Sequence, residues 1–196
     1  MIAENHFIPE SYSNTVESGS FSWSAPSNIA LVKYWGKKEH QIPANPSVSL
    51  TLSHCKTVTS LGFAKKNTPG FSFDLSFEGQ PKPDFRPKIE KFFARVEAYL
   101  PFLHQYHFTI DTHNTFPHSS GIASSASGMA ALAMNLMSIE KLLNPKMTDD
   151  YFYQKASFLA RLGSGSACRS IKGEVVVWGN HAKIAGSSNL FGVAFP

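Results

Sequence analysis

Residues 163–173, GSGSACRSIKG, set three serines, three glycines and one arginine within eleven positions. Small residues let backbone N–H groups approach a ligand, and arginine offers a planar two-donor fork. The chemistry such a run serves is the holding of an anion, a phosphate or a carboxylate. The same composition also suits a plain connection between two elements. A second run, FPHSSGIASSASGMAALA at 116–133, passes from Pro117 through Ser120, Gly121, Ala123, Ser124 and Ser125 to Gly128 and into an alanine-rich helix. A helix start without bulky side chains presents unpaired N–H groups and a positive dipole end to a phosphate. The run lacks the Gly-Lys-Ser/Thr of a Walker A loop and the G-x-G-x-x-G spacing, and an ordinary serine-capped helix start is its plainer reading. In the third run Lys33, Tyr34, Lys37 and Lys38 surround Trp35 and Gly36. Two lysines with a hydroxyl between them suit a diphosphate; solvated lysines at a strand end are the alternative.

The elements that must carry these runs are read from periodicity. FSWSAP and NIALVKYWGKK are strand material broken by Pro26, and residues 47–63 form a strand pair or one long bent strand. There Val48, Leu50 and Leu52 define the apolar side. Phe71, Phe73, Leu75 and Phe77 alternate before a break at 79–83. From Pro87 the period becomes helical, with Ile89, Phe92, Phe93, Val96, Leu100 and Leu103 on one face. A short strand YHFTIDTH, a helix over about 122–143, a helix over 149–162 begun by two aspartates, and a strand EVVVWG follow. Strands and helices without regular βαβ alternation give an α+β fold. The division expected is a polar lead-in at 1–20, a domain at 21–185 and the start of a further part at 186–196.

The totals set the class. The chain has 196 residues, with 16 Phe and 3 Trp, enough for a substantial core. A net charge of +4 on only 16% charged residues, scattered without a basic stripe, excludes nucleic acid and leaves a modest preference for small anions. Cys55 and Cys168 stand far apart with no metal spacing and read as reduced thiols of a cytoplasmic protein. No secretory signal is read at the N-terminus, and the longest apolar stretch is too short to span a bilayer.

The segments APSNIALVKYWGK, NPSVSLTLS, PHSSGIASSASG and ARLGSGSACRSIKG closely resemble, in order and spacing, the diphosphomevalonate decarboxylases of the GHMP kinase superfamily. The resemblance covers roughly 21–179. It implies the N-terminal domain fold shared by GHMP enzymes. It also implies ATP-dependent phosphorylation of the 3-hydroxyl of mevalonate 5-diphosphate, with loss of phosphate and carbon dioxide to give isopentenyl diphosphate. ATP and magnesium are the implied cofactors and a homodimer the implied assembly. Carried over residue by residue, Pro117, Ser120, Gly121, Ala123, Ser124, Ser125 and Gly128 cradle ATP phosphates, with Ser125 near magnesium. Tyr34, Lys37, Ser164, Gly165 and Ser166 hold the substrate diphosphate, Arg169 grips its carboxylate, and Lys33 lies near the transferring phosphoryl group.

The chain departs from the family pattern in three places. Asn45 is followed by Pro46 where the family usually carries an acidic residue, and His118 to Ser120 replace the commoner Thr-Ala-Ala. No DAGPN-like segment, the family's source of the catalytic aspartate, occurs among the 196 residues. The expectation is therefore a fragment or truncation that does not turn over by itself. Two alternatives stand beside it: a relative that phosphorylates mevalonate phosphates or decarboxylates a monophosphate, and a non-catalytic paralogue that binds nucleotide or diphosphate.

Overall fold

The structure, a computed structural model, describes residues 2–117 and 121–195. Its frame is one mixed sheet of seven strands. Strand β1 (Ser18–Val32) pairs antiparallel with the long strand β2 (Ser47–Lys65). On its other side β2 is shared between two partners. Its second half pairs antiparallel with β5 (Tyr106–Asn114), and Ser47–Leu50 pair with β6 (Val175–Trp178). Strand β3 (Ser72–Phe77) runs parallel to β5 and carries the two-residue β4 (Gln80–Pro81) on its outer edge.

Pro26 does not break β1 as its sequence suggests. The partner accommodates it: Pro26 faces Lys56 and Ser27 faces Leu52, so residues 53–55 bulge out and the ladder resumes. A proline costs one ladder donor, and a bulge is where a sheet tolerates that loss. A second difference concerns the inward face of β2. Val48 and Leu50 point away from the core, Leu50 being 40% exposed, while Ser47 and Ser49 are fully buried. Apolar alternation located the strand but assigned its faces the wrong way round, since on the inward face Ser47 meets the buried Arg169 rather than an apolar side chain.

The helices are α1 (Arg86–Val96), α2 (Ser124–Leu143) and α3 (Asp149–Gly163). Helix α1 ends at Val96; Leu100 and Leu103 are buried as their spacing predicts, but in a separate 3-10 turn begun by Pro101. Helix α2 lies against β1 and β2, α3 against α2, and α1 against α3. Its alanines, Ala126, Ala130, Ala131 and Ala133, are all buried, and this lets α2 run through the middle of the molecule. Phe63, Phe92, Phe93, Phe102, Phe108 and Phe158 fill the core around it. Thr148 caps α3, its hydroxyl accepting from the Tyr151 N–H at 3.3 Å.

Both ends of the chain are built in. Phe7 is fully buried and stacks on Phe158, and the N–H groups of Ser13 and Asn14 both donate to the Leu143 carbonyl at the end of α2. At the other end Phe191 is buried, and strand β7 (Val193–Ala194) pairs antiparallel with β6.

Candidate functional site

Arg169 lies at the end of a 3-10 turn (Gly165–Ser170) that follows α3 directly. It is 3% exposed, and burial holds its guanidinium below the usual arginine range. Its Nη1 donates to Ser47 Oγ at 2.9 Å, its Cζ lies 5.7 Å from the centre of the Tyr34 ring, and its Nε has no partner. No carboxylate contacts it among the described residues. A buried cation with a free donor is costly unless a ligand completes it.

Arg169 also lines a cavity of about 470 Å³ whose walls include Asn28, Lys33, Tyr34, Gly121, Ala123 and Ser166. Three runs separated by some 140 positions thus meet at one place, and the sheet explains how. β1 ends at Val32, immediately before Lys33 and Tyr34, and Ser27 anchors the phosphate-loop run by donating its hydroxyl to the Ile122 carbonyl. Tyr34 packs edge-on against the buried Trp178 of β6, ring centroids 5.1 Å apart. Asn45, the residue before the unexpected proline, ties the Lys33–Trp35 turn. Its Oδ1 accepts from the Trp35 N–H at 2.7 Å and its Nδ2 donates to the Lys33 carbonyl at 3.1 Å.

Lys37, Ser164 and Gly165 do not line this cavity. Lys37 and Gly165 lie against each other instead: a Cβ on Gly165 would sit 2.9 Å from Trp178, 3.2 Å from Lys37 Cε and 3.3 Å from Gln41 Oε1, closer than a side chain tolerates. Lys37 Nζ donates to Gln41 Oε1 at 2.8 Å and stands 5.6 Å from the centre of the Tyr34 ring. Ser164 is the residue after α3, and its carbonyl accepts from the Ala167 N–H at 2.7 Å.

The phosphate-loop run enters α2 through Ala123, which is left-handed at φ 58 and ψ 43, and the helix has no side-chain cap. Gly121 is also at positive φ, 80°, where glycine is favoured. An uncapped start to a twenty-residue helix matches what a phosphate needs. Ser124, Ser125 and Gly128 open onto a second cavity of about 360 Å³. Ser120 lies outside the described residues, and Pro117 is exposed beside that gap.

Sequence reasoning missed most of the second cavity. Its walls include Phe77, Phe85, Ile110, Met129, Thr112 and Asn114. Ser127 bonds Thr57 at 2.6 Å and Thr57 donates to Asn114 Oδ1 at 2.7 Å, which leaves the buried Asn114 Nδ2 without a partner. Lys88 also lines it; the residue is exposed overall, but desolvation against the wall lowers its ammonium below the usual range. Asn28 was likewise quoted within a motif without a role. Its Nδ2 donates to Ser170 Oγ at 2.7 Å and its buried Oδ1 is unpartnered. Unpaired donors and acceptors at a cavity wall are a signal only a folded chain displays.

Two cavities, one lined by lysine, tyrosine and arginine and one apolar with hydroxyl groups, flank an uncapped helix start. The chain matches the diphosphomevalonate decarboxylase-like N-terminal domain over residues 25–189, and it belongs to that family. It is 36% identical over 187 residues to a diphosphomevalonate decarboxylase of Gibberella zeae, covering 89% of this chain and 47% of that protein. It is similar to the mevalonate diphosphate decarboxylase structure from Staphylococcus aureus, with a TM-score of 0.72, 32% identity, and coverage of 91% of this chain and 50% of that one. A complex of MDDEF with MVAPP, AMPPCP and magnesium is also similar, with a TM-score of 0.70, 31% identity, and coverage of 92% and 51%. The chain thus spans about half the length of the relatives it matches. Among the described residues, no helix is long and apolar enough to cross a membrane.

Proposed function

We propose that this chain is the substrate- and ATP-cradling domain of an enzyme that phosphorylates and decarboxylates mevalonate 5-diphosphate to isopentenyl diphosphate, and that the whole enzyme is a homodimer. The observation that carries the reading is the cavity walled by Lys33, Tyr34, Ser166 and the incompletely bonded Arg169. Arg169 orients the substrate carboxylate. Tyr34 and Ser166 bond the diphosphate, with Lys37, Ser164 and Gly165 beside them, and Lys33 stands near the phosphoryl group in transfer.

The residues of the α2 start fit ATP. Ala123, Ser124, Ser125 and Gly128, with Pro117, Ser120 and Gly121 of the preceding loop, would hold its phosphates, and the apolar cavity beyond them, with the unpaired Asn114 amide, suits a base. Ser125 would bind magnesium together with phosphate oxygens, since magnesium is commonly held by few protein ligands. Bound ATP and magnesium supply the phosphoryl group and screen its charge. The similar chain solved with AMPPCP, magnesium and MVAPP supports this assignment.

No Asp or Glu lines either cavity among the described residues. On this reading the base for the 3-hydroxyl, which contributes about 10²–10⁴ in rate, is not one of the residues of these two cavity walls. The chain mixed with ATP, magnesium and mevalonate 5-diphosphate is expected to bind both ligands and release carbon dioxide only at background. Turnover by this chain alone would overturn the placement of the base. Equal binding of mevalonate and its 5-diphosphate would overturn the substrate reading.

A further inference from the structure

Arg161 is fully buried on α3, one turn before Ser164, and contacts three distant segments. Its Nε donates to the Leu190 carbonyl at 2.7 Å, its Nη2 to Glu4 Oε1 at 2.9 Å, and its Nη1 to the His40 carbonyl. The last bond falls on an unusual corner. His40 (φ 54) and Gln41 (φ 60) are consecutive non-glycine residues in the left-handed region, a conformation that persists only where surroundings enforce it. The ends of the corner are tied by the Lys38 N–H to the Ile42 carbonyl at 2.8 Å, and its product is the Gln41 Oε1 that receives Lys37 Nζ over Gly165. The His40 side chain is exposed, so the corner is held through backbone rather than through that ring.

We propose that Arg161 is a positioning residue for the anion site: it holds the His40–Gln41 corner in its left-handed form so that Gln41 presents Lys37 beside Gly165. The proposal rests on reading Lys37 as a ligand of the substrate diphosphate. Lysine in place of Arg161 keeps a charge but cannot satisfy three acceptors in a fixed plane. Because Glu4 and Leu190 share the guanidinium, the first and last segments of the chain help to set the position of a binding lysine.

Calorimetric titration of the chain with inorganic pyrophosphate tests this. Lys37→Ala is expected to weaken binding about tenfold, the effect of one charge-assisted bond. Arg161→Lys should weaken it comparably, and the double variant no further, because both act through one group. His40→Gly should bind like the parent, since glycine adopts the corner freely, whereas His40→Val should still fold, at some cost in melting temperature, and bind weakly. If Arg161→Lys fails to fold, the His40 pair decides. Parent-like binding by folded Arg161→Lys or by His40→Val, with Lys37→Ala weakened, overturns the positioning role alone. Losses from Arg161→Lys and Lys37→Ala that simply add overturn it too. Parent-like binding by Lys37→Ala overturns the diphosphate reading and this proposal with it.

Discussion

Lys155 and Arg169 are both buried cations, and the fold treats them in opposite ways. Lys155 Nζ lies 2.5 Å from Glu140 Oε1 and donates to the Tyr99 carbonyl at 2.9 Å, far from either cavity. Burial lowers the Lys155 ammonium and raises the Glu140 carboxyl, each opposed by the other's charge. Arg169 has Ser47, two aromatic rings and a free Nε. A buried charge closed by its own counter-ion serves structure; one left open at a cavity wall is a candidate site, because an arriving anion would repay its desolvation.

The comparison is sharpest where a partner is removed. Glu140→Ala leaves Lys155 buried without a counter-ion, with only the Tyr99 carbonyl as hydrogen-bond partner, and is expected to destabilise the chain by about 3–5 kcal/mol in urea unfolding. A loss well under that would mean that water reaches Lys155. Arg169→Met should do the reverse. It removes an unpaired buried charge while Ser47 keeps its bond to the Trp178 carbonyl, so stability should match or exceed that of the parent. A large destabilisation by Arg169→Met would make Arg169 a structural residue and erase the contrast.

A smaller effect distinguishes the thiols. Cys168, next to Arg169, is buried and its thiol is pushed up to about 12, chiefly by desolvation. An unfolded thiol ionises from roughly pH 9 upward, so the unfolded chain releases this proton first. Stability from Cys168 is thus complete below that pH and is lost as pH rises toward 12. Melting temperatures between pH 7 and 10.5 should fall more steeply in the parent than in Cys168→Ala. Parallel slopes would show that Cys168 has no part in the alkaline loss.

Much of the site was legible because its residues come in contiguous runs. The order of small residues before α2, and the arginine after Ser164 and Ser166, fix local backbone that needs no distant partner to be read. What escaped depends on tertiary context. Ser47 faces inward to meet Arg169, which arrives from 122 positions away, so apolar alternation misassigned the faces of β2. The lead-in at 1–20 is polar in composition, yet Phe7 fills the core and Glu4 meets Arg161 across 157 positions. Asn28 and Asn114 reveal themselves only as buried polar atoms left without partners. Lys33 and Lys37, four apart in one run, part company: Lys33 lines the cavity of Arg169, whereas Lys37 turns to Gln41 beside Gly165.

The open Nε of Arg169 carries the substrate assignment, and calorimetric titration of mevalonate 5-diphosphate into the parent chain and Arg169→Lys tests it most directly. The parent should bind one equivalent. The lysine variant, with its charge kept and its fork lost, should bind at least about tenfold more weakly at an unchanged melting temperature. Equal affinity in the two would contradict the assignment of this cavity to the substrate.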